Sequence, residues 1–162
     1  FLIKLQKLII NIDIFFNGRN KLNNIMERLT TKRFNSNFAP NRTEFDWISD
    51  DEESVDNYIE DDLCGFKVTN GLWLDMVEGI ESTFKDENYI SNNKNLRILL
   101  VAGSKDPVGD NGKGVERLYA FLKNHFKYLS LFIFDNGRHE IFSDLIKDRC
   151  YKLLTDFFDE EI

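Results

Sequence analysis

Cysteine and proline are scarce in this chain of 162 residues, which contains two of each. Two cysteines are too few for a disulfide scaffold or for a zinc module built on cysteine thiolates. Two prolines exclude a collagen-like chain and a chain rich in polyproline helix. The rest of the composition is that of a domain with a core, because 42% of the residues are hydrophobic and 15 are phenylalanine.

Several motifs that mark enzyme classes are missing as well. The sequence contains no HExxH, GxxxxGK[ST], GxGxxG or EF-hand pattern, and we therefore expect neither a bound metal nor a cofactor. It also lacks G-x-S-x-G, the strand-to-helix turn that presents a nucleophilic serine. Ser104 follows a glycine but stands outside any such motif, so the sequence does not identify it as a nucleophile.

The net charge of −7 argues against nucleic acid as a partner. The charge is unevenly distributed along the chain. Residues 1–43 carry eight Lys or Arg and two acids, whereas residues 44–62 carry ten acids and no base. The sequence therefore divides into a basic first segment, a short acidic block and a mixed body.

Residues 1–16 are apolar but do not form a membrane span or a secretory signal. Charged residues interrupt them before the ~20 apolar residues of a bilayer span are reached, and a charged leader and a cleavage site are missing. With few cysteines, this favours a cytoplasmic location. The spacing predicts an amphipathic helix whose apolar face consists of Leu2, Leu5, Ile9, Ile12 and Phe16. Such a helix covers a core, or it contacts lipid or an apolar substrate at a membrane surface.

Helical spacing continues at 50–62, where Ser49 suits an N-cap, and at 71–84. The period then changes. Short apolar runs at 96–102 and 128–134 predict buried strands, and helical patterns follow each of them at 112–126 and 140–158. This order is a βαβ unit with parallel strands, so the fold class is α/β. Because two parallel strands do not make a stable sheet alone, we expect further strands from outside these residues.

The loops that follow the two strands carry the residues suited to catalysis. Asp106 lies in the first loop and His139, 33 positions later, lies in the second. Parallel neighbours bring such loops together at the carboxyl edge of the sheet, where an aspartate that orients a histidine forms half of a nucleophilic triad. Asp106 could instead be a turn residue with Asp110 as the rival carboxylate, and His139 an ordinary helix-start residue. We expect the other histidine, His125, to be solvated.

Both loops resemble those of the α/β-hydrolases, in the lysophospholipase and monoacylglycerol-lipase-like branch that is often labelled serine aminopeptidase. The similar stretches are Leu99–Asp110 with Gly112–Val115, Phe134–Ile141 around a G-x-R-H-E core, Asn41–Ser49 and Asp62–Phe66. The resemblance implies that Asp106 is the catalytic acid and His139 the general base. It also implies that residues 1–62 are a cap, or lid, with an acidic connection, and that residues 63–162 are the C-terminal part of the hydrolase core.

This resemblance implies a serine hydrolase of lipid-like esters, such as lysophospholipids or monoacylglycerols, without the half that carries the nucleophile. The start at Phe1, inside an apolar stretch, fits a chain cut from a longer one. We expect the missing N-terminal half of the core to be a partner, and the 162 residues alone to be inactive. The alternatives are a truncated or split-gene product that acts as a non-catalytic interaction partner, and a hydrolase of peptides or small amides.

Overall fold

A computed structural model describes residues 2–159, and the side chains from Ile3 onward. Phe1, the Leu2 side chain and residues 160–162, which belong to the predicted cap and core segments, lie outside the described residues. The elements in chain order are α1 (Leu2–Asn17), α2 (Asn24–Leu29), α3 (Thr31–Ser36), α4 (Glu52–Glu60), α5 (Asn70–Thr83), a 3-10 helix (Asp86–Tyr89), β1 (Arg97–Gly103), α6 (Lys113–Leu122), β2 (Tyr128–Phe134) and α7 (Lys147–Asp159).

The two strands pair in parallel, with Arg97 opposite Tyr128 and Gly103 opposite Phe134. α6 connects them and packs on both, which confirms the predicted βαβ unit and the α/β class. The strands are less buried than their apolar sequence suggests. Phe132 is 40% exposed, because the described residues supply only these two strands and cannot cover both faces of the sheet.

The helices of the first half share a separate small core. Ile10 of α1, Met26 of α2, and Leu74 and Val77 of α5 are buried against one another. Among residues 2–159, which the structure describes, no helix has both the length and the apolar character to cross a bilayer.

The predicted apolar face of α1 is wrong at three positions. Leu5, Ile12 and Phe16 are 40%, 50% and 75% exposed, whereas Ile9 of that face packs against the core and Ile10, outside it, is fully buried. Apolar residues occupy two opposite sides of this helix, so their spacing alone does not select one. Contact with α5 determines which side of α1 is buried. Lys7, on the same side as Ile10, forms an ion pair with Glu81 of α5 at 2.9 Å.

Replacing Ile10 with alanine is therefore expected to lower the free energy of unfolding by about 2–4 kcal/mol, the usual cost of a cavity at a fully buried aliphatic side chain. The matched control is Ile12→Ala on the opposite side of α1, which should cost less than about 1 kcal/mol. Urea unfolding followed by circular dichroism measures both. Equal losses in the two variants would contradict the observed packing of α1.

The spacing predicts that the last helix begins at residue 140, but it begins at Lys147. Residues 140–146 form turns instead, because tertiary hydrogen bonds hold them. The Glu140 N–H donates to the Ile48 carbonyl at 2.8 Å, and the Ser49 hydroxyl donates to the Ser143 carbonyl at 2.9 Å. We call residues 46–51 the strap, since they bind the turns that follow His139.

The strap also determines where α4 begins. Ser49 is buried beneath the helix start, and its hydroxyl accepts the Asp51 N–H at 2.9 Å. The N-cap is therefore Asp51, whose carboxylate accepts the Glu53 N–H. Predicting Ser49 as the cap was wrong by two positions, because tertiary contacts occupy its hydroxyl.

Candidate active site

Asp106 and His139 meet at the carboxyl edge of the sheet. Asp106 Oδ1 lies 3.0 Å from His139 Nδ1. The carboxylate is buried, with 7% of the residue exposed, and it also accepts the Val108 N–H at 2.9 Å. The His139 side chain is 36% exposed. A buried, hydrogen-bonded carboxylate against one ring nitrogen can fix the orientation of an imidazole whose other side is open.

Two glycines allow the loops to come this close. A Cβ on Gly103 would lie 2.1 Å from the Gly137 carbonyl oxygen and 2.3 Å from that of Arg138. Backbone hydrogen bonds join the loops there, from the Ser104 N–H to the Phe134 carbonyl and from the Lys105 N–H to the Gly137 carbonyl, both at 2.9 Å. The contact between Asp106 and His139 thus rests on backbone that only glycine permits.

The structure separates Asp106 from the rival carboxylate Asp110 and shows where His139 and Ser104 lie. The Asp110 carboxylate accepts a hydrogen bond from Arg117 at 3.1 Å, so Asp106 is the carboxylate on His139. His139 lies in a loop before the turns that precede α7, not at a helix start. The Ser104 hydroxyl accepts the Asn136 N–H at 2.9 Å. The catalytic roles of Asp106 and His139 stay predictions.

The prediction that His125 is solvated was wrong. Its side chain is 14% exposed, and its ring stacks on Tyr89 with 4.7 Å between centroids. His125 Nε2 lies 3.0 Å from Asp86 Oδ1. His125 lies just after α6 and is covered by the 3-10 helix, which carries Asp86 and Tyr89. The helical spacing of α6 reports only on its own residues and does not reveal this contact with another segment.

One residue beside the site had no predicted role. The indole of Trp47, in the strap, packs against the imidazole of His139, with 5.1 Å between ring centroids and an interplanar angle of 35°. Trp47 is 8% exposed. The sequence signals are a large aromatic residue within an acidic block, which predicts burial, and its place in the Asn41–Ser49 stretch that resembles the hydrolases. Neither predicts which residue it contacts.

Arg138 fastens the strap to the histidine loop. Its guanidinium donates hydrogen bonds to the carbonyls of Asp46 and Ser49, the latter at 2.9 Å, and to the Asp50 carboxylate. The Phe38 ring lies against the guanidinium at 4.5 Å. Arg138 precedes His139, so these bonds set the position of the strap relative to the imidazole.

Two carboxylates of the strap are held in their charged form. Burial acts to raise the pKa of Asp46, but hydrogen bonds from Thr43 and Arg42 outweigh it and lower that pKa. The hydrogen bond and charge of Lys147 lower the pKa of Asp51. Both groups therefore stabilise the strap at neutral pH, and this contribution is lost as the pH falls through their folded-state pKa values.

The described part of the chain contains no group of three or more His, Cys, Asp or Glu side chains arranged to hold a metal ion. Cys64 and Cys150 are free thiols, and burial raises the pKa of both. Neither thiol is therefore placed as a reactive thiolate.

Solved structures with the same fold include two hydrolases. A highly thermostable carboxyl esterase from Bacillus coagulans, in complex with glycerol, is 20% identical with a TM-score of 0.78, over 97% of this chain and 52% of the esterase. Paleococcus ferrophilus monoacylglycerol lipase is 18% identical with a TM-score of 0.57, over 94% of this chain and 63% of the lipase. The chain thus spans about half the length of the esterase.

A comparison with curated protein sequences found no match. The family model described as serine aminopeptidase, S33, matches residues 9–146, which is most of the chain. This match and the two structures confirm the resemblance inferred from the two loops. The chain therefore belongs to the S33 serine aminopeptidase family of α/β-hydrolases.

Proposed function

We propose that this chain supplies the acid and the base of a Ser-His-Asp triad in a hydrolase of lipid-like carboxylic esters. The observation that carries the proposal is the 3.0 Å contact between Asp106 and His139, at the edge of the sheet where α/β enzymes gather their catalytic groups. The nucleophilic serine and the oxyanion donors then come from a segment outside these 162 residues. That segment also supplies the strands beside the two of this chain.

The chemistry follows from the two ring nitrogens of His139. With Nδ1–H donated to Asp106, Nε2 is free to accept the proton of the serine as its oxygen attacks the acyl carbonyl. The imidazolium that forms is stabilised by the Asp106 carboxylate and passes its proton to the departing alcohol. Water then attacks the acyl carbonyl while His139 takes one of its protons. His139 returns that proton to the serine oxygen as the acyl–oxygen bond breaks, which releases the free acid.

Two observations support a lipid-like ester over a peptide. The structural neighbours are a carboxyl esterase and a monoacylglycerol lipase by name. In addition, one side of α1 is apolar and at least 40% exposed at each of its residues, which are Leu5, Leu8, Ile12, Phe15 and Phe16. We assign this side to a lid in the cap (residues 1–62), where it contacts an acyl chain or a membrane surface in the cytoplasm. Residues 63–162 complete the core.

The test is covalent labelling of the complete polypeptide that carries this chain, using an alkyl phosphonate probe followed by peptide mass spectrometry. We expect one labelled serine in a G-x-S-x-G motif outside residues 1–162, together with hydrolysis of monoacylglycerols faster than of amino-acid anilides. Labelling of Ser104 would overturn the assignment of the nucleophile. An absence of both labelling and hydrolysis would support the non-catalytic interaction partner instead.

A further inference from the structure

The imidazole of His139 has two contacts that restrain its orientation. One is the hydrogen bond to Asp106, and the other is the indole of Trp47, packed at 5.1 Å between centroids. A hydrogen bond to a charged carboxylate contributes about 1.5–3 kcal/mol, and the His139 side chain is 36% exposed. This one bond leaves the imidazole able to rotate about it, so a second contact is needed to fix the plane of the ring.

Trp47 is itself held from several directions. Its backbone N–H donates to Asn35 Oδ1 at 3.1 Å, and its ring contacts Phe34 at 5.6 Å between centroids. On either side of it, the carbonyls of Asp46 and Ser49 accept hydrogen bonds from Arg138. The indole is thus a rigid surface fixed to the same loop that carries the histidine.

The indole N–H does not explain why Trp47 lies there. Trp47 Nε1 is buried and has no hydrogen-bond partner among the residues that the structure describes. The contact with His139 is made by the ring surface of Trp47 and not by a hydrogen bond from Nε1.

We propose that Trp47 is a positioning residue that keeps the imidazole of His139 turned with Nδ1 toward Asp106. The strap that Arg138 fastens is the device that places it there. This inference rests on the proposed function for its kinetic consequence, but its geometric content does not depend on any particular substrate. Misplacement of a catalytic base by about 1 Å can lower the rate about 100-fold.

The kinetic experiment compares Trp47→Leu, Trp47→Phe and the control Trp73→Leu in the complete enzyme with an aryl ester. Trp73 packs in the separate core of α1, α2 and α5, so its loss tests the general effect of removing an indole. We expect Trp47→Leu to lower kcat about 10–100-fold with KM changed less than about 3-fold. Trp47→Phe and Trp73→Leu should stay within about 3-fold. An unchanged kcat in Trp47→Leu would overturn the proposal.

A spectroscopic readout separates this inference from the proposed function. The Nδ1–H proton of His139 should give a low-field NMR resonance that is sharp in the parent protein, in Trp47→Phe and in Trp73→Leu, and broadened or absent in Trp47→Leu. If Trp47→Leu does not fold, Arg138→Gln serves in its place, because it releases the strap while keeping the indole. A sharp resonance in folded Trp47→Leu, or in Arg138→Gln where that variant replaces it, overturns the proposal even if no ester is hydrolysed. Failure of hydrolysis alone contradicts only the proposed function.

Discussion

Replacing His139 with glutamine is expected to lower kcat for ester hydrolysis about 10⁴-fold or more in the complete hydrolase. Glutamine keeps a polar side chain near Asp106 but cannot accept a proton from the serine and then deliver it to the leaving alcohol. The matched control is His125→Gln, which removes the other imidazole of the chain from its contact with Tyr89 and Asp86. We expect this control to retain kcat within about 3-fold.

Asp106→Asn provides an internal check on the same unit. Asparagine lacks the negative charge that stabilises the imidazolium and favours the wrong ring tautomer, so kcat should fall about 10³–10⁴-fold. Because the two residues act together, the double variant with His139→Gln should be no slower than His139→Gln alone. Initial rates at saturating aryl ester measure the two single variants, the double variant and Asp110→Asn. Additive losses, or an Asp110→Asn variant that is as slow as Asp106→Asn, would contradict the pairing seen at 3.0 Å.

Replacing Gly103 with alanine is expected to lower the free energy of unfolding by about 4 kcal/mol or more. The new Cβ would lie 2.1 Å from a backbone carbonyl oxygen of Gly137, and a backbone atom cannot move aside as the end of a flexible side chain can. Relief of the clash must separate the loops after β1 and β2. Activity should then be lost together with stability, since these loops carry Asp106 and His139.

Gly79→Ala is the control for this substitution. Gly79 lies within α5, and a Cβ added there would meet no atom of another segment within 4 Å among the described residues. Alanine there should stabilise the protein by about 0.5–1 kcal/mol, because it has the higher helix propensity. Urea unfolding followed by circular dichroism measures both variants. A Gly103→Ala protein as stable as the parent would contradict the close approach of the two loops at this glycine.

The expected loss of kcat and the expected loss of stability depend on the same few residues. The geometry of the candidate site comes from two short loops that approach each other closely at Gly103 and Gly137. The strap then closes over the second loop through Arg138 and packs Trp47 on His139. We therefore expect a change at these glycines or in the strap to alter the contact between Asp106 and His139 without replacing either residue.

The sequence by itself determined the βαβ unit and the position of the two loops that carry Asp106 and His139. Apolar runs and helical spacing are local signals, and strands that alternate with one helix leave few arrangements other than parallel neighbours. The same rule places both loops at one edge of the sheet. It follows that Asp106 and His139 could be proposed as a pair, with Asp110 open as a rival, before any distance was known.

Tertiary structure decided what local pattern leaves open. Both sides of α1 are apolar, and packing against α5 selected the side with Ile10. The turns after His139 replaced a predicted helix start, and Trp47 came to lie on the imidazole, because the strap bonds to residues about 90 positions away. Periodicity reports only on neighbours within a few turns of chain. Contacts between distant segments follow from shape and hydrogen-bond satisfaction in three dimensions, which no single stretch of sequence contains.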